Sequence, residues 1–215
     1  MATVEEMREE IKFDIDDDSF NDELIDRLIN RGLKHTSSKV LLKSLETSGS
    51  SNSEVGSPYI AKPSGFGHNI FKASTARGPV EIFSSMALML EEYPMLDMDN
   101  EEGDIKFCCI HGDRIAIHPV PTVITSVKLF FHGWPPVLEE TDDLDDYIDG
   151  EDHQYETVYN YVMWKLNRKL EDGVEGAMNN SLNFEDRFEA GVKALDLATT
   201  QGQSRPQPVR KTWGV

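Results

Sequence analysis

Between Asp152 and Asp172 the chain places Tyr155, Val158, Tyr159, Val162, Met163, Leu166 and Leu170 at successive steps of one, three and four residues. That spacing puts the side chains on one face of an α-helix. A helix over this stretch is roughly 30 Å long, and an apolar stripe of that length has to be covered by other elements. Candidates for the cover lie at both ends of the chain. Leu24, Ile25, Leu28, Ile29 and Leu33 form a second stripe, continued loosely by Val40, Leu41 and Leu45 beyond a weak point at Gly32. It starts near Phe20 with Ser19 or Asn21 as cap and acids in its first turn. Ahead of it, Thr3-Val-Glu-Glu6 reads as a capping box, followed by Val4, Met7, Ile11 and Ile15 at helical spacing until Asp16-Asp17-Asp18-Ser19 interrupts the pattern. Gly173 suits the position after the long helix. Asn183-Phe-Glu-Asp opens a last helix with Phe184, Phe188, Val192 and Leu195 on its packing face. The aromatic residues from Tyr155 to Trp164 are read as core on this spacing and not as a ligand box.

The middle of the chain has a different period. Ile105–His111 and Arg114–His118 alternate as strands around Gly112-Asp113, a two-residue hairpin signal. Val123–Phe131 is the next strand, ended by Trp134-Pro135-Pro136. Asn69–Ala73 and Val80–Phe83 suggest a weak hairpin around Ala-Arg-Gly-Pro. Ser84 or Ser85 caps a short helix, Met86–Glu92, stopped by Pro94, and Asp97–Asp104 is an acidic linker. Residues 46–68, rich in Ser, Gly and Pro, are read as an extended or mobile insertion. The expected fold class is α+β and mainly helical: a four-helix bundle-like core with a small antiparallel β-sheet and an extended C-terminal arm. In domain terms, residues 1–200 form a helical domain containing the 46–83 insertion and the 105–136 β-region, and 201–215 form an extended basic arm. No internal repeats are present.

Charge narrows the function classes. The 215 residues carry 39 acids and 21 bases, a net −18, which opposes a grip on nucleic-acid phosphates and docking on anionic membranes. The acidic N-terminus has no apolar signal region, and no apolar run reaches the ~18 residues of a membrane span. Cys108 and Cys109 are adjacent, point to opposite faces if on a strand, and fit a reducing compartment as free thiols. The expected protein is soluble and made in a cytosol.

Motifs for chemistry are lacking. An EF-hand loop from Asp14 would have Ser19 where Gly is needed and Ile25 where the bidentate Glu belongs. No histidines pair at metal-binding spacing on a helix, and Cys109 with His111 is a lone same-face pair. There is neither a nucleophile elbow nor a phosphate-binding Gly-rich loop. No enzyme activity, metal or cofactor is expected.

Two features call for a partner. Residues 139–156 hold ten acids and no Lys or Arg, and the charge is split along the chain. Residues 1–196 carry 18 bases and 39 acids, net −21, and the last 19 residues carry +3. The segment Arg205-Pro-Gln-Pro-Val-Arg-Lys-Thr-Trp-Gly-Val215 is basic, Pro-rich and ends near an aromatic anchor, Trp213. It is read either as a solvated tail or as an arm that orders in an acidic groove.

Ile115-Ala-Ile117-His-Pro119-Val-Pro121 runs into Val127-Lys-Leu-Phe-Phe131-His-Gly-Trp-Pro135-Pro-Val-Leu138, then Asp142-Asp143, Tyr147-Ile148 and His153 before the long helix. That order resembles the adaptor, or head-completion, proteins of tailed bacteriophages, with Phe131 where Tyr is usual and Asp149 where Pro is common. Leu-Ile-Asn-Arg-Gly-Leu in the second helix and the closing pair, Tyr155–Leu170 and Phe184–Leu197, are similar to the same family. The resemblance implies a structural virion protein of the neck, assembled in the host cytoplasm. It forms a ring, typically of twelve subunits, under the portal protein, extends the DNA channel and joins tail or nozzle proteins. Double-stranded DNA would pass without specific binding. It also implies a portal-docking arm, here Arg205, Pro206, Pro208, Val209, Arg210, Lys211 and Trp213. Glu139, Glu140, Asp142, Asp143, Asp145 and Asp146 are the expected acidic channel or subunit-interface surface, and part of Glu139–Asp152 or Asp14–Asp18 is expected to face the lumen. The competing readings are an acidic DNA mimic that occupies a DNA-binding protein and, third, a carboxylate-dependent hydrolase.

Overall fold

A computed structural model describes residues 3–17, 19–93, 101–142, 144, 152–172 and 179–202. The chain divides into two compact units, one from Met1–Leu42 with Val137–Val215 and the other from Lys43–Pro136.

The first unit holds the helices from the two ends of the chain. Helix α1 (Val4–Ile15) begins at the expected capping box: Thr3 Oγ1 accepts from the Glu6 N–H at 3.2 Å, and Glu6 Oε2 accepts from the Thr3 N–H at 3.0 Å. It ends at Asp16, whose left-handed φ of 47° turns the chain out of the helix. Helix α2 (Asp22–Lys39) is capped by Asn21, one of the two residues the sequence offered, through its Oδ1 and the Leu24 N–H at 3.0 Å. Gly32 is no weak point. A β-carbon there would lie 3.0 Å from Tyr161 Cδ1 and 3.2 Å from Val158 Cγ1, so the missing side chain lets α2 approach the long helix closely. That helix, α4 (Asp152–Glu171), and α5 (Asn179–Gly202) pack against one another, and α4 also meets α1 and α2. Val4, Met7, Ile11, Ile25, Ile29, Leu33, Val158, Val162, Leu166 and Phe188 are all buried. Leu170 departs from the predicted face and is 39% exposed. Helix α5 starts four residues before the expected Asn183, and Gly173 lies outside the described residues.

The second unit is a sheet of seven strands: β1 (Glu46–Asn52), β2 (Tyr59–Ala61), β3 (Phe66–Thr75), β4 (Gly78–Phe83), β5 (Phe107–His111), β6 (Arg114–His118) and β7 (Ser126–Gly133). Their order is β1-β7-β3-β4-β5-β6-β2. All neighbours are antiparallel except β4 and β5, which run parallel and are joined through a stretch containing α3 (Met86–Glu92), capped by Ser85. The edge strands β1 and β2 approach each other, so the sheet curls into a half-barrel. Three register shifts in β3 against β7, with Asn69 at φ 52°, sharpen the curl.

The expectation of a mainly helical fold, a four-helix bundle-like core with a small antiparallel sheet, is thereby corrected. The sheet is large, mixed and a compact unit of its own. Residues 46–68, read as an extended or mobile stretch, supply β1, β2 and the start of β3. The reason is physical. Strand β1, Glu-Thr-Ser-Gly-Ser-Ser-Asn, is an edge strand held by the backbone of β7 with most side chains exposed, so it shows neither β-propensity nor apolar alternation. Strand β7 begins at Ser126, leaving Val123 and Ile124 exposed in the preceding loop. The β5–β6 hairpin turns at Gly112-Asp113 as expected, with Gly112 at φ 58°. Cys108 and Cys109 are free and buried in two different apolar clusters, and burial pushes the Cys108 thiol up to about 12.

Candidate functional site

Of the acids predicted as channel or interface surface, Glu139, Glu140 and Asp142 fall in the described structure. Asp143, Asp145 and Asp146 lie outside the described residues, as does the whole predicted arm, Arg205, Pro206, Pro208, Val209, Arg210, Lys211 and Trp213. The described acids sit on the helical unit, in a segment bracketed by two buried leucines, Leu138 and Leu144. Its backbone is fixed along α1 and α2. The first free N–H groups of α1, on Val4 and Glu5, donate to the Asp142 and Glu140 carbonyls, each at 3.2 Å, which satisfies a helix end that has no partners within the helix. Asn30 on α2 grips Leu138 twice. Its Oδ1 accepts from the Leu138 N–H at 2.7 Å and its Nδ2 donates to the Leu138 carbonyl at 3.1 Å. The Glu139 N–H donates to Asp142 Oδ2 at 2.7 Å, closing a turn.

Arg8 is the centre of this arrangement. Its side chain is 5% exposed, and it donates to Asp26 Oδ2 at 3.0 Å and to Glu140, with Asp22 at 3.9 Å from Nε. The guanidinium is pushed above its ordinary value, first by the hydrogen bond to Glu140, with burial opposing. The partners respond unequally. Asp26 is raised because its own burial outweighs the pull of Arg8. Asp22 is lowered, but first through Lys12, which also pairs with it. Glu140 thus pairs with the buried Arg8 in an ion cluster that joins α1, α2 and the acidic segment, although it is itself as exposed as Glu139. Arg8 was absent from the sequence reading. A signal for it existed, since it stands four residues after Val4 and seven before Ile15, on the apolar face of α1.

A second feature of this unit is a cleft of 630 Å³ between α1, α4 and α5. Glu10, Asp14 and Glu156 bring three carboxylates to it and Arg187 one positive charge, and Ala190, Gly191 and Ala194 leave its α5 side low. The Tyr155 hydroxyl donates to Glu10 and the Tyr159 hydroxyl to Asp14. Burial, and then those hydrogen bonds, push both phenols well above their ordinary value. Asp14, expected as a lumen candidate, is therefore tied to α4.

In the sheet unit, Glu46, His132 and His68 occupy one row across β1, β7 and β3. His132 is 2% exposed, and the ring nitrogens of both histidines are buried without hydrogen-bond partners. Trp134, His68, His132 and Phe71 follow one another with centroids 5.3–5.9 Å apart. Burial lowers both imidazoles and so favours their neutral forms, with Glu46, 3.7 Å from His132 Nε2, opposing at His132. His118 is buried and its Nε2 lies 3.0 Å from Glu101 Oε2. Among the described residues no three His, Cys, Asp or Glu groups are arranged to hold a metal ion, and no helix is long and apolar enough to cross a membrane.

The described residues present helices joined through ion pairs, a curled sheet, and carboxylates engaged with Arg and Tyr. A family model described as SU10 adaptor protein matches residues 2–212. No curated protein matches the chain.

Proposed function

The chain belongs to the SU10 adaptor protein family, a family of phage adaptors, and from that premise we propose that it is a structural protein of the virion neck, forming a ring under the portal that extends the DNA channel and receives the tail. The observation that carries this reading is the extent of the family match, residues 2–212 of 215, which takes in both compact units and most of the basic arm. Twelve subunits is the proposed number, with neighbours related by rotation in a closed, heterologous ring. The net charge of −18 supports passage of DNA without retention, because carboxylates near a duplex repel its phosphates.

Glu140 is paired with Arg8, so Glu139 and Asp142, which lie outside that pairing, are proposed as the lumen or interface acids of the three described. Arg205, Arg210, Lys211 and Trp213 are proposed to dock on an acidic portal surface, the charges steering the approach and the indole anchoring it.

Mixing the full chain with the portal of its own phage and weighing the product by native mass spectrometry tests the reading. A portal complex carrying about one copy of this chain per portal subunit is expected, and a chain lacking residues 204–215 should fold but fail to join it. No complex with the full chain, or a complex in which it contacts only a DNA-binding protein, overturns the neck assignment in favour of a DNA mimic.

A further inference from the structure

The cleft between α1, α4 and α5 is not explained by an adaptor's role as scaffold. It opens a void of 630 Å³ in the helical unit at a place where three carboxylates, two tyrosine rings and a single guanidinium, Arg187, converge, so acids outnumber bases three to one. Between chains, such a surface would repel a copy of this acidic protein, which carries −21 over residues 1–196. One segment has the opposite character. Residues 203–215 hold three bases, no acid and an indole, the chemistry that pairs with carboxylates at a rim and fills an aromatic, small-residue floor.

Geometry gives this segment access from its own chain. Helix α5 ends at Gly202, and the cleft is lined by α5 residues from Arg187 to Ala194. At 1.5 Å per residue the cleft therefore lies roughly 12–22 Å back along the helix from its end. Thirteen residues span up to about 43 Å when extended. With roughly four residues spent on reversing direction, the remaining nine can span about 30 Å back along α5. That reach is enough to bring Arg210, Lys211, Thr212 and Trp213 level with the cleft. Tethering supplies a local concentration in the millimolar range, so weak intrinsic affinity is enough for occupancy.

We propose that in the free chain this cleft is occupied by the protein's own basic segment, with Arg210 and Lys211 on Glu10, Asp14 and Glu156 and Trp213 between the tyrosines and the low face of α5. The segment is then held back until a stronger acidic surface competes for it. This contact concerns the free chain and stands or falls separately from portal assembly.

Disulfide trapping in the full chain, without portal, tests it. Thr212→Cys is paired with Ala190→Cys in the cleft or, as control, with Arg27→Cys on exposed α2; the native Cys108 and Cys109 are buried. Under mild oxidation the 190–212 pair should close within one chain at least ~10-fold faster than the 27–212 pair, as expected from a local concentration effect. Glu10→Gln with Asp14→Asn, which keeps acceptors for both tyrosines, should remove most of that advantage. So should Arg210→Gln with Lys211→Gln, and so should high salt. Equal rates for the two pairs, disulfide-linked dimers in place of internal closure, or rates indifferent to all of these charge changes would each overturn the proposal.

Discussion

Replacing Arg8 by Met removes a charge and keeps most of a side-chain volume, which makes it a clean probe of the ion cluster in the helical unit. Losing one partner of a fully buried pair costs about 3–5 kcal/mol, chiefly because the other charge is stranded. Here the three acids differ in how stranded they become. Asp22 and Glu140 are 53% and 57% exposed at the side chain and return to water, whereas Asp26 is 27% exposed and stays largely desolvated. Only Asp26 therefore stays substantially desolvated, and with the penalty discounted for its partial exposure the expected loss is ~2–3 kcal/mol. For a chain of this size that corresponds to a fall in Tm of roughly 5–10 °C. Linkage adds a sign. Asp26 already titrates above its ordinary 3.8 because it is buried, and without Arg8 it moves further up. The folded state then binds a proton more readily than the unfolded state, so the deficit of the variant is largest at neutral pH and narrows as pH falls through the native titration of Asp26. Adding Asp26→Asn to Arg8→Met should restore at least half of the loss at pH 7. Urea unfolding followed by far-ultraviolet circular dichroism at several pH values measures all three quantities. A variant within about 0.5 kcal/mol of the parent, the ordinary range for surface changes, or a deficit that grows on acidification, would refute the assignment of Arg8 as a buried bolt.

Three further outcomes are expected. His68 and His132 have their values lowered by burial in the fold, so the stability they contribute is complete above the unfolded value of 6.5 and is lost as pH falls through their native titration. The sheet unit's unfolding midpoint in urea should drop between pH 7.5 and 5, and a His132→Phe variant should show a smaller drop. Gly191→Ala puts a β-carbon 2.3 Å from Thr157 Oγ1 and forces α4 and α5 apart. It should cost about 1–3 kcal/mol by overpacking, and combining it with Thr157→Ala should cost less than the two changes summed. Asn30→Ala deprives the Leu138 N–H and carbonyl of their partners, and should destabilise by ~1–2 kcal/mol. Hydrogen exchange at the Leu138 amide should rise about tenfold or more, and an unchanged rate would mean the segment is held by other contacts.

The helical half was legible because its signals are local. A capping box, an apolar stripe and an acidic first turn each act within a few residues, and α1, α2 and α4 stand close to where those signals place them. The sheet was legible only where a strand carried its own alternation or its own turn, as at Gly112-Asp113. Strand β1 carried neither, since its Ser-rich sequence becomes a strand only because β7 offers a free edge almost eighty residues later. The candidate site divides in the same way. Acid content marked the 139–142 segment, but nothing in the run of acids distinguishes Glu140, paired with buried Arg8, from its exposed neighbour Glu139. The cleft was invisible for a related reason: Glu10, Asp14, Tyr155, Tyr159 and Arg187 come from three helices far apart in the chain.

By itself the sequence determined the helix positions, the free thiols on opposite faces of one strand, the split between an acidic body and a basic end, and a family resemblance that the comparison with known proteins bore out. Those properties follow from residue spacing and charge, which no folding is needed to read. Tertiary structure decided that the sheet is a seven-stranded unit, that one carboxylate of the acidic segment pairs with the buried Arg8, and that three helices leave a cleft lined with acids and tyrosines. Each of those depends on groups distant in sequence meeting at a few ångströms, where backbone hydrogen bonding, desolvation and charge pairing act, and none of these forces leaves a local pattern in the chain.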